Sequence, residues 1–99
     1  MQAAFMFVDQ GADPGIHRDT VVTPGVALTV VGVKNYQEAV RVAGELAAEG
    51  IIAIELCAGF GVEGVAMVKK AVKGKSIVGV VRFDNHPGLQ FKSGDDLYL

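Results

Sequence analysis

The chain alternates between two hydrophobic patterns, continuous apolar runs and stretches with a helical period. Four apolar runs, at residues 3–8, 26–33, 51–56 and 76–83, have the length and the β-branched content of strands. Because nearly every position in these runs is apolar, both faces of the sheet that they form should be buried.

Two helices are predicted between the later strands. Asn35 is a good N-cap, Glu38 completes an approximate capping box, and apolar residues follow the 3.6-residue period as far as Gly50. The second helix covers residues 62–72 and ends at Gly74. Strands that alternate with helices in this way favour a parallel sheet with right-handed crossovers.

These elements predict a single α/β domain over residues 1–99, with a mainly parallel four-stranded sheet, two helices and the order β-β-α-β-α-β. Two helices can hardly cover both faces of four apolar strands. Either one helix lies on each face, or both lie on one face and another subunit covers the other. Apolar residues make up 51% of the chain. A small domain places such an excess most readily in a subunit interface, so we expect a homo-oligomer.

Two segments follow neither pattern. Residues 9–24 contain three turn signals and are predicted to be a long loop, which carries His17 and Arg18. Residues 84–99 form a tail whose apolar end should dock on its own domain or on a neighbour. Both segments are therefore candidates for a functional or interface role.

Charge and cysteine content narrow the classes of partner. The net charge is −2 and no basic run is present, so nucleic acid is not an expected partner. No uncharged apolar run reaches the roughly 18 residues that a membrane span needs. A single cysteine cannot form an internal disulfide, and the first residues lack the basic region of a signal peptide, so we expect a cytoplasmic protein.

A glycine-rich segment joins the third predicted strand to the second helix. Gly59, Gly61 and Gly64 have the spacing G-x-G-x-x-G, and Asp84 follows 20 residues later, as the ribose-binding acid does in dinucleotide-binding folds. The chain after the fourth strand is too short to complete such a fold. The glycines therefore indicate either a backbone cradle for a small anion or a tight turn that needs glycine for its geometry.

Polar residues cluster where the predicted strands end, which is the edge at which parallel sheets bind ligands. Glu55 and Cys57 are two apart, as are Arg82 and Asp84, and His86 follows closely. In a catalytic interpretation Glu55 is a general base and Arg82 binds an anion. In the structural alternative these two side chains form a buried ion pair.

The cysteine and the histidines are each open to a functional and a structural interpretation. Cys57 precedes a helix N-terminus, which favours a thiolate nucleophile or redox group, but a small buried apolar side chain is the simpler explanation. His17 and His86, with Glu55 or Asp84, could bind a metal, act in acid–base catalysis or make ordinary loop hydrogen bonds. No close ligand spacing is present, so no metal site is predicted, and the sequence does not identify a cofactor.

Three segments give the chain a wider resemblance. They are Thr29–Tyr36 (TVVGVKNY), Glu55–Gly61 (ELCAGFG) and Val81–Gly88 (VRFDNHPG). Together they resemble a family of small bacterial proteins known only as a domain of unknown function, over nearly the whole chain. The resemblance implies a stand-alone cytoplasmic protein of about this length, and it supplies no activity, substrate or catalytic residue.

Two functions are consistent with these observations. The first is a site for a small anionic metabolite at the carboxyl edge of the sheet, with or without enzymatic activity of the lyase or isomerase kind. Its candidate catalytic residues are Glu55, Arg82, Asp84 and His86, and its candidate binding residues are Gly59, Gly61, Cys57, His17 and Arg18. The second is a non-enzymatic assembly protein whose tail and first loop form subunit interfaces.

Overall fold

The computed structural model describes residues 1–99 as a layer of helices on a mixed β-sheet. The helices are α1 (Tyr36–Ala48), α2 (Val62–Ala71) and the single turn α3 (Asp95–Tyr98). A short 3₁₀ turn spans Pro87–Leu89. The strands are β1 (Gln2–Val8), β2 (Arg18–Val22), β3 (Ala27–Val33), β4 (Ala53–Leu56) and β5 (Ile77–Val80).

The sheet has five strands in the order β2-β3-β1-β4-β5. β1 is central and parallel to β3 and β4, and β5 is parallel to β4, so the predicted parallel sheet is confirmed for these four strands. The expectation of only four strands was wrong. β2 lies within the predicted loop and pairs antiparallel with β3.

β2 was missed because its own sequence gives little sign of a strand. It reads Arg-Asp-Thr-Val-Val, it is exposed at every position, and it lies between turn signals. Its conformation is determined by the partner strand, whose backbone groups it pairs with along its full length. The hydroxyls of Thr20 and Thr29 also lie 3.0 Å apart across the pair.

Local sequence signals explain both ends of α1. The Asn35 side chain accepts a hydrogen bond from the Glu38 N–H at 2.9 Å, which confirms the predicted N-cap. The Glu38 carboxylate accepts in turn from the Lys34 N–H at 2.9 Å, one residue before the position that a standard capping box uses. Gly50 follows the helix with a φ of 98°, a conformation that glycine adopts without strain.

Both long helices lie on the same face of the sheet. α1 and α2 pack against each other, and the core between helices and sheet includes Ala4, Met6 and Val8 of β1. Alternate residues of every strand point to the opposite face, which no helix covers. This open face consists of Ala3, Phe5, Phe7, Asp19, Val21, Leu28, Val30, Ala53, Glu55, Ile77 and Gly79.

The C-terminal tail docks on its own domain. Tyr98 belongs to the main core cluster and is only 7% exposed. α3 packs against α2, on the helical layer and away from the open face. None of the helices combines the length and the apolar character that a bilayer crossing requires.

Candidate functional site

The four parallel strands bring their carboxyl ends to one edge of the sheet, as the sequence predicts. Asp9, Lys34 and Cys57 directly follow β1, β3 and β4, and Arg82 lies two residues after β5. Asp9 and Cys57 also lie near the Tyr98 hydroxyl. Burial, followed by the negative charges that these two groups can carry, raises the pKa of Tyr98 above its ordinary value. The tail therefore covers the middle of the edge where a ligand site was expected.

The glycine-rich segment at this edge holds a carboxylate of the same chain. Asp95 of α3 accepts hydrogen bonds from the N–H groups of Glu63 at 3.1 Å and Gly64 at 3.3 Å, in the first turn of α2. These are donors that a helix cannot satisfy internally, and the helix dipole favours a negative charge beside them. The predicted anion cradle is thus occupied by Asp95.

A buried tyrosine completes this arrangement. Tyr36 has no exposed surface, and its hydroxyl donates to Asp95 Oδ1 at 2.9 Å while it accepts from the Gly61 N–H at 2.9 Å. Burial raises the pKa of Tyr36 strongly; the bond from Gly61 opposes this shift and the Asp95 carboxylate adds to it. The hydroxyl therefore keeps its proton and remains a hydrogen-bond donor to Asp95.

The glycines are explained by the close approach of these groups. A Cβ at Gly61 would overlap the Asp95 carboxylate, and a Cβ at Gly64 would overlap the Tyr36 ring. Gly94 in the tail approaches the Gly59 carbonyl so closely that no side chain fits there. The structure gives G-x-G-x-x-G a third explanation, because none of these glycines has a positive φ and neighbouring groups occupy the space that a side chain would need.

An aromatic stack supports the same region. The Tyr36 ring is stacked on Phe60 with centroids 5.5 Å apart, and Tyr98 lies 5.9 Å away on a tilted plane. Sequence reasoning missed Tyr36, Asp95 and Tyr98 as members of this site. The available signals were a tyrosine in the first turn of a helix and an acidic pair directly after Gly94.

Arg82 lies apart from this network, in a cleft between α2 and the segment that follows β5. The cleft encloses about 240 Å³ and is lined by Phe60, Gly61, Val62, Val65, Val80, Arg82, Phe83, Asp84 and Ser93. The Arg82 Nε donates to the Asp84 carboxylate at 2.9 Å, and both side chains are mostly exposed. Such a surface pair contributes little to stability, so Arg82 remains available to a ligand.

Glu55 is not part of this cleft, and the structure does not form the Glu55–Arg82 ion pair that was the structural alternative. Glu55 alternates with the core residues Ile54 and Leu56, and so it lies exposed on the open face without an ion-pair partner. Cys57 does not share that face, because β4 ends at Leu56 and the chain turns there. Its half-buried thiol packs against the core, and its Sγ accepts from the Gly59 N–H at 3.3 Å.

Each histidine side chain accepts a backbone hydrogen bond within its own loop. The Nδ1 of His17 accepts from the Asp13 N–H at 2.9 Å, and the Arg18 Nε beside it donates to the Pro14 carbonyl at 3.1 Å. The Nδ1 of His86 accepts from the Gly88 N–H at 2.9 Å, and its ring meets Phe83 edge to face. No group of three or more His, Cys, Asp or Glu side chains is arranged to hold a metal ion.

A second, more polar depression lies beside the N-terminal half of α1. It encloses about 580 Å³, and its charged lining residues are Asp13, Arg18, Lys34, Glu38, Arg41 and Glu45. Arg41 is bound to Glu45 at 2.8 Å and lies 3.8 Å from Glu38. Charges of both signs therefore neutralise one another here, and the depression favours neither an anion nor a cation.

The family model of a family of unknown function, DUF6506, matches residues 1–96. The chain belongs to the DUF6506 family. The resemblance noted in the sequence is thereby confirmed at the level of a family of unknown function. No curated protein and no solved structure matches the chain. Any function for this DUF6506 protein must therefore be argued from its own residues.

Proposed function

We propose that this protein binds a small anionic metabolite at the carboxyl edge of its sheet, in the cleft beside Arg82. The observation that carries the proposal is the composition of that cleft. Apolar side chains from α2 and from the β5 segment form its walls, and one guanidinium stands at its side. A few polar groups converging on an apolar cavity are typical of a ligand site.

The hydrogen-bond donors at the cleft support an anionic ligand. Only the Nε of Arg82 donates a hydrogen bond to Asp84. Both terminal nitrogens of the guanidinium can therefore donate to a carboxylate or phosphate of the ligand. The Val62 N–H opens α2 and makes no hydrogen bond within the chain. A volume of about 240 Å³ lies below the range of about 300–1,000 Å³ that holds drug-sized ligands. The ligand should therefore be small, with an apolar body and one anionic group.

The proposal is one of binding. Glu55 lies on the open face and does not line the cleft, so it is not the base that the sequence suggested. An extension to chemistry of the lyase or isomerase kind would have to use Asp84, the carboxylate that does line it. Its carboxylate is already bonded to Arg82 and is mostly exposed, which supports binding over catalysis.

A titration followed by amide NMR tests the proposal. The probes are phenyl phosphate, inorganic phosphate and benzyl alcohol, which separate the anionic and apolar contributions. We expect phenyl phosphate to bind best and to shift the amides of Val62, Val65 and Phe83. Arg82→Ala should weaken it at least about tenfold, since a charge-assisted hydrogen bond is lost.

Arg41→Ala is the matched control, because Arg41 is also an exposed, ion-paired arginine but lines the other depression. It should leave the affinity unchanged. Equal binding by the wild-type protein and Arg82→Ala, or shifts that map outside the cleft, would refute the proposal.

A homo-oligomer is the second candidate, and the open face is the observation that favours it. Val21 and Ile77 on this face are 60% and 77% exposed, and Phe5, Leu28 and Val30 are only half-buried. Large exposed apolar patches on small proteins commonly mark interfaces. Native mass spectrometry of the untreated protein tests both candidates together, because it reports the assembly mass and any metabolite retained through purification.

A further inference from the structure

We infer that the open face is the contact surface of a two-fold homodimer whose symmetry axis runs along β1. This inference rests on the homo-oligomer proposed above and adds the face, the axis and the residue pairs. A second copy of this chain is the occupant that the shape and the size of the face fit best.

The open face carries two transverse rows of residues, fixed by the strand registers. The first row, in the order of the strands, is Val21, Leu28, Ala3, Ala53 and Ile77. It is apolar from one edge of the sheet to the other. The second row is Asp19, Val30, Phe5, Glu55 and Gly79. Phe7 lies above both rows, and its ring folds over Gly32.

Side-chain size differs between the two halves of the face. On the β3 side of the central strand, Leu28 and Val30 stand out from the sheet. On the β4 side the small residues Ala53 and Gly79 alternate with the large residues Glu55 and Ile77, and nothing lies within 4 Å of the point where a Gly79 side chain would begin. The β4 side therefore contains two hollows, at Ala53 and at Gly79.

A two-fold axis along β1 places the large residues Leu28 and Asp19 of one copy opposite the hollows at the partner's Ala53 and the partner's Gly79. In the first row Leu28 meets the partner's Ala53, and Val21 meets the partner's Ile77. At the centre Phe5 meets the partner's Phe5. Such a contact is isologous, because both copies use the same surface, and the assembly is complete with two copies. Sheets that pack face to face with nearly aligned strands lie about 10 Å apart.

The alternative axis, perpendicular to the strands, is less favourable. It would place β4 on β4 and bring Glu55 towards the partner's Glu55, and like charges repel most where water is excluded. The axis along β1 instead sets Glu55 against the partner's Val30. The two Glu55 carboxylates are then about two strand spacings apart, whereas each lies one strand away from the partner's Asp19, so some repulsion and some loss of hydration remain.

The area of the face is consistent with a dimer of moderate strength. Five strands spaced by about 4.8 Å, with about 20 Å of strand length, give roughly 450 Å² per copy in projection. Two copies contribute roughly 900 Å² in projection and more as accessible surface, which is close to the roughly 1,000 Å² that a specific interface needs and is typical of weak dimers. We therefore expect a dissociation constant on the order of micromolar.

Sedimentation equilibrium over a range of protein concentrations tests the inference. The wild-type protein should shift from the 10.4 kDa monomer towards twice that mass as concentration rises. Val21→Lys should weaken the dimer at least about tenfold, because a charge replaces a buried apolar contact. Val22→Lys is the matched control, since Val22 is the next residue of the same edge strand, is 74% exposed and points away from the open face.

Two further variants test the arrangement. Combining Val21→Lys with Ile77→Glu should restore much of the dimer lost in either single variant, because the two new charges meet across the interface only if β2 lies on the partner's β5. Glu55→Gln should strengthen the dimer, because an amide is easier to dehydrate than a carboxylate. A gain of affinity cannot result from a folding defect.

The outcomes distinguish a failure of the homo-oligomer proposal from a failure of the proposed face or axis. A wild-type protein that stays monomeric at the highest concentration overturns both and leaves the face to a different partner. A dimer that resists Val21→Lys but is lost in Val22→Lys overturns the face alone. Failure of the double variant to recover overturns the axis.

Discussion

Replacing Asp95 should loosen the C-terminal tail and destabilise the whole fold. Its carboxylate accepts from two N–H groups of α2 and from the buried Tyr36 hydroxyl. Asp95→Ala removes all three bonds. Asp95→Asn keeps one oxygen acceptor but loses the charge and the second acceptor.

The magnitude follows from the contacts. Loss of an N-terminal cap costs about 1 kcal/mol, and loss of a negative charge at a helix N-terminus costs about 0.5 kcal/mol. A buried tyrosine hydroxyl left without its acceptor costs about 1–2 kcal/mol. Together these give about 3 kcal/mol for Asp95→Ala, and we expect about half of that for Asp95→Asn.

Urea denaturation followed by circular dichroism measures the free energy of unfolding, and amide exchange at Glu63 and Gly64 reports the tail contact directly. Asp96→Ala is the control, because Asp96 accepts only from the exposed Ser93 N–H at 3.2 Å. Its effect should stay within about 0.5 kcal/mol. An Asp95→Ala effect as small as that of the control, or unchanged exchange at Gly64, would refute the reasoning.

Two further predictions test the same region. Tyrosines of the unfolded chain ionise above about pH 10, whereas the raised pKa of Tyr36 keeps this tyrosine protonated in the folded state. The free energy of unfolding should therefore fall by up to about 1.4 kcal/mol per pH unit in this range. In urea titrations at pH 9–11, Tyr36→Phe should flatten this fall, and an unchanged slope would contradict the prediction. Gly64→Ala should destabilise the fold by about 2 kcal/mol or more, because it forces a methyl group against the Tyr36 ring. Gly44→Ala, in the open middle of α1, should instead stabilise the fold by up to about 1 kcal/mol. Thermal unfolding measures both effects, and similar shifts for the two variants would contradict the packing explanation.

Local signals in the sequence were enough to predict the two long helices, whereas the single turn α3 was not predicted. Asn35 and Gly50 mark the ends of α1 by hydrogen bonding and backbone conformation within a few residues. The four parallel strands are similarly evident, because each is a continuous apolar run of strand length, although only one face of the sheet is covered by helices. These elements can therefore be predicted from nearby residues alone.

The missed features depend on contacts between distant parts of the chain. β2 is a strand because β3 offers it a partner, and its polar residues suit a solvent-exposed edge. Asp95 caps a helix that begins more than 30 residues earlier, and it bonds Tyr36 at a separation of 59 residues. A sequence shows that an anion suits a helix N-terminus, but it does not show that the anion comes from the chain itself.

The central position of β1 bears on how the chain can fold as it is synthesised. β1 precedes every other element in the chain, yet its two neighbours in the sheet are β3 and β4. β3 is complete at Val33, but β4 ends only at Leu56, so one apolar edge of β1 must stay unpaired until more than half of the chain has left the ribosome. Such an edge is exposed to aggregation meanwhile, and its late pairing should make folding slow for a protein of this size.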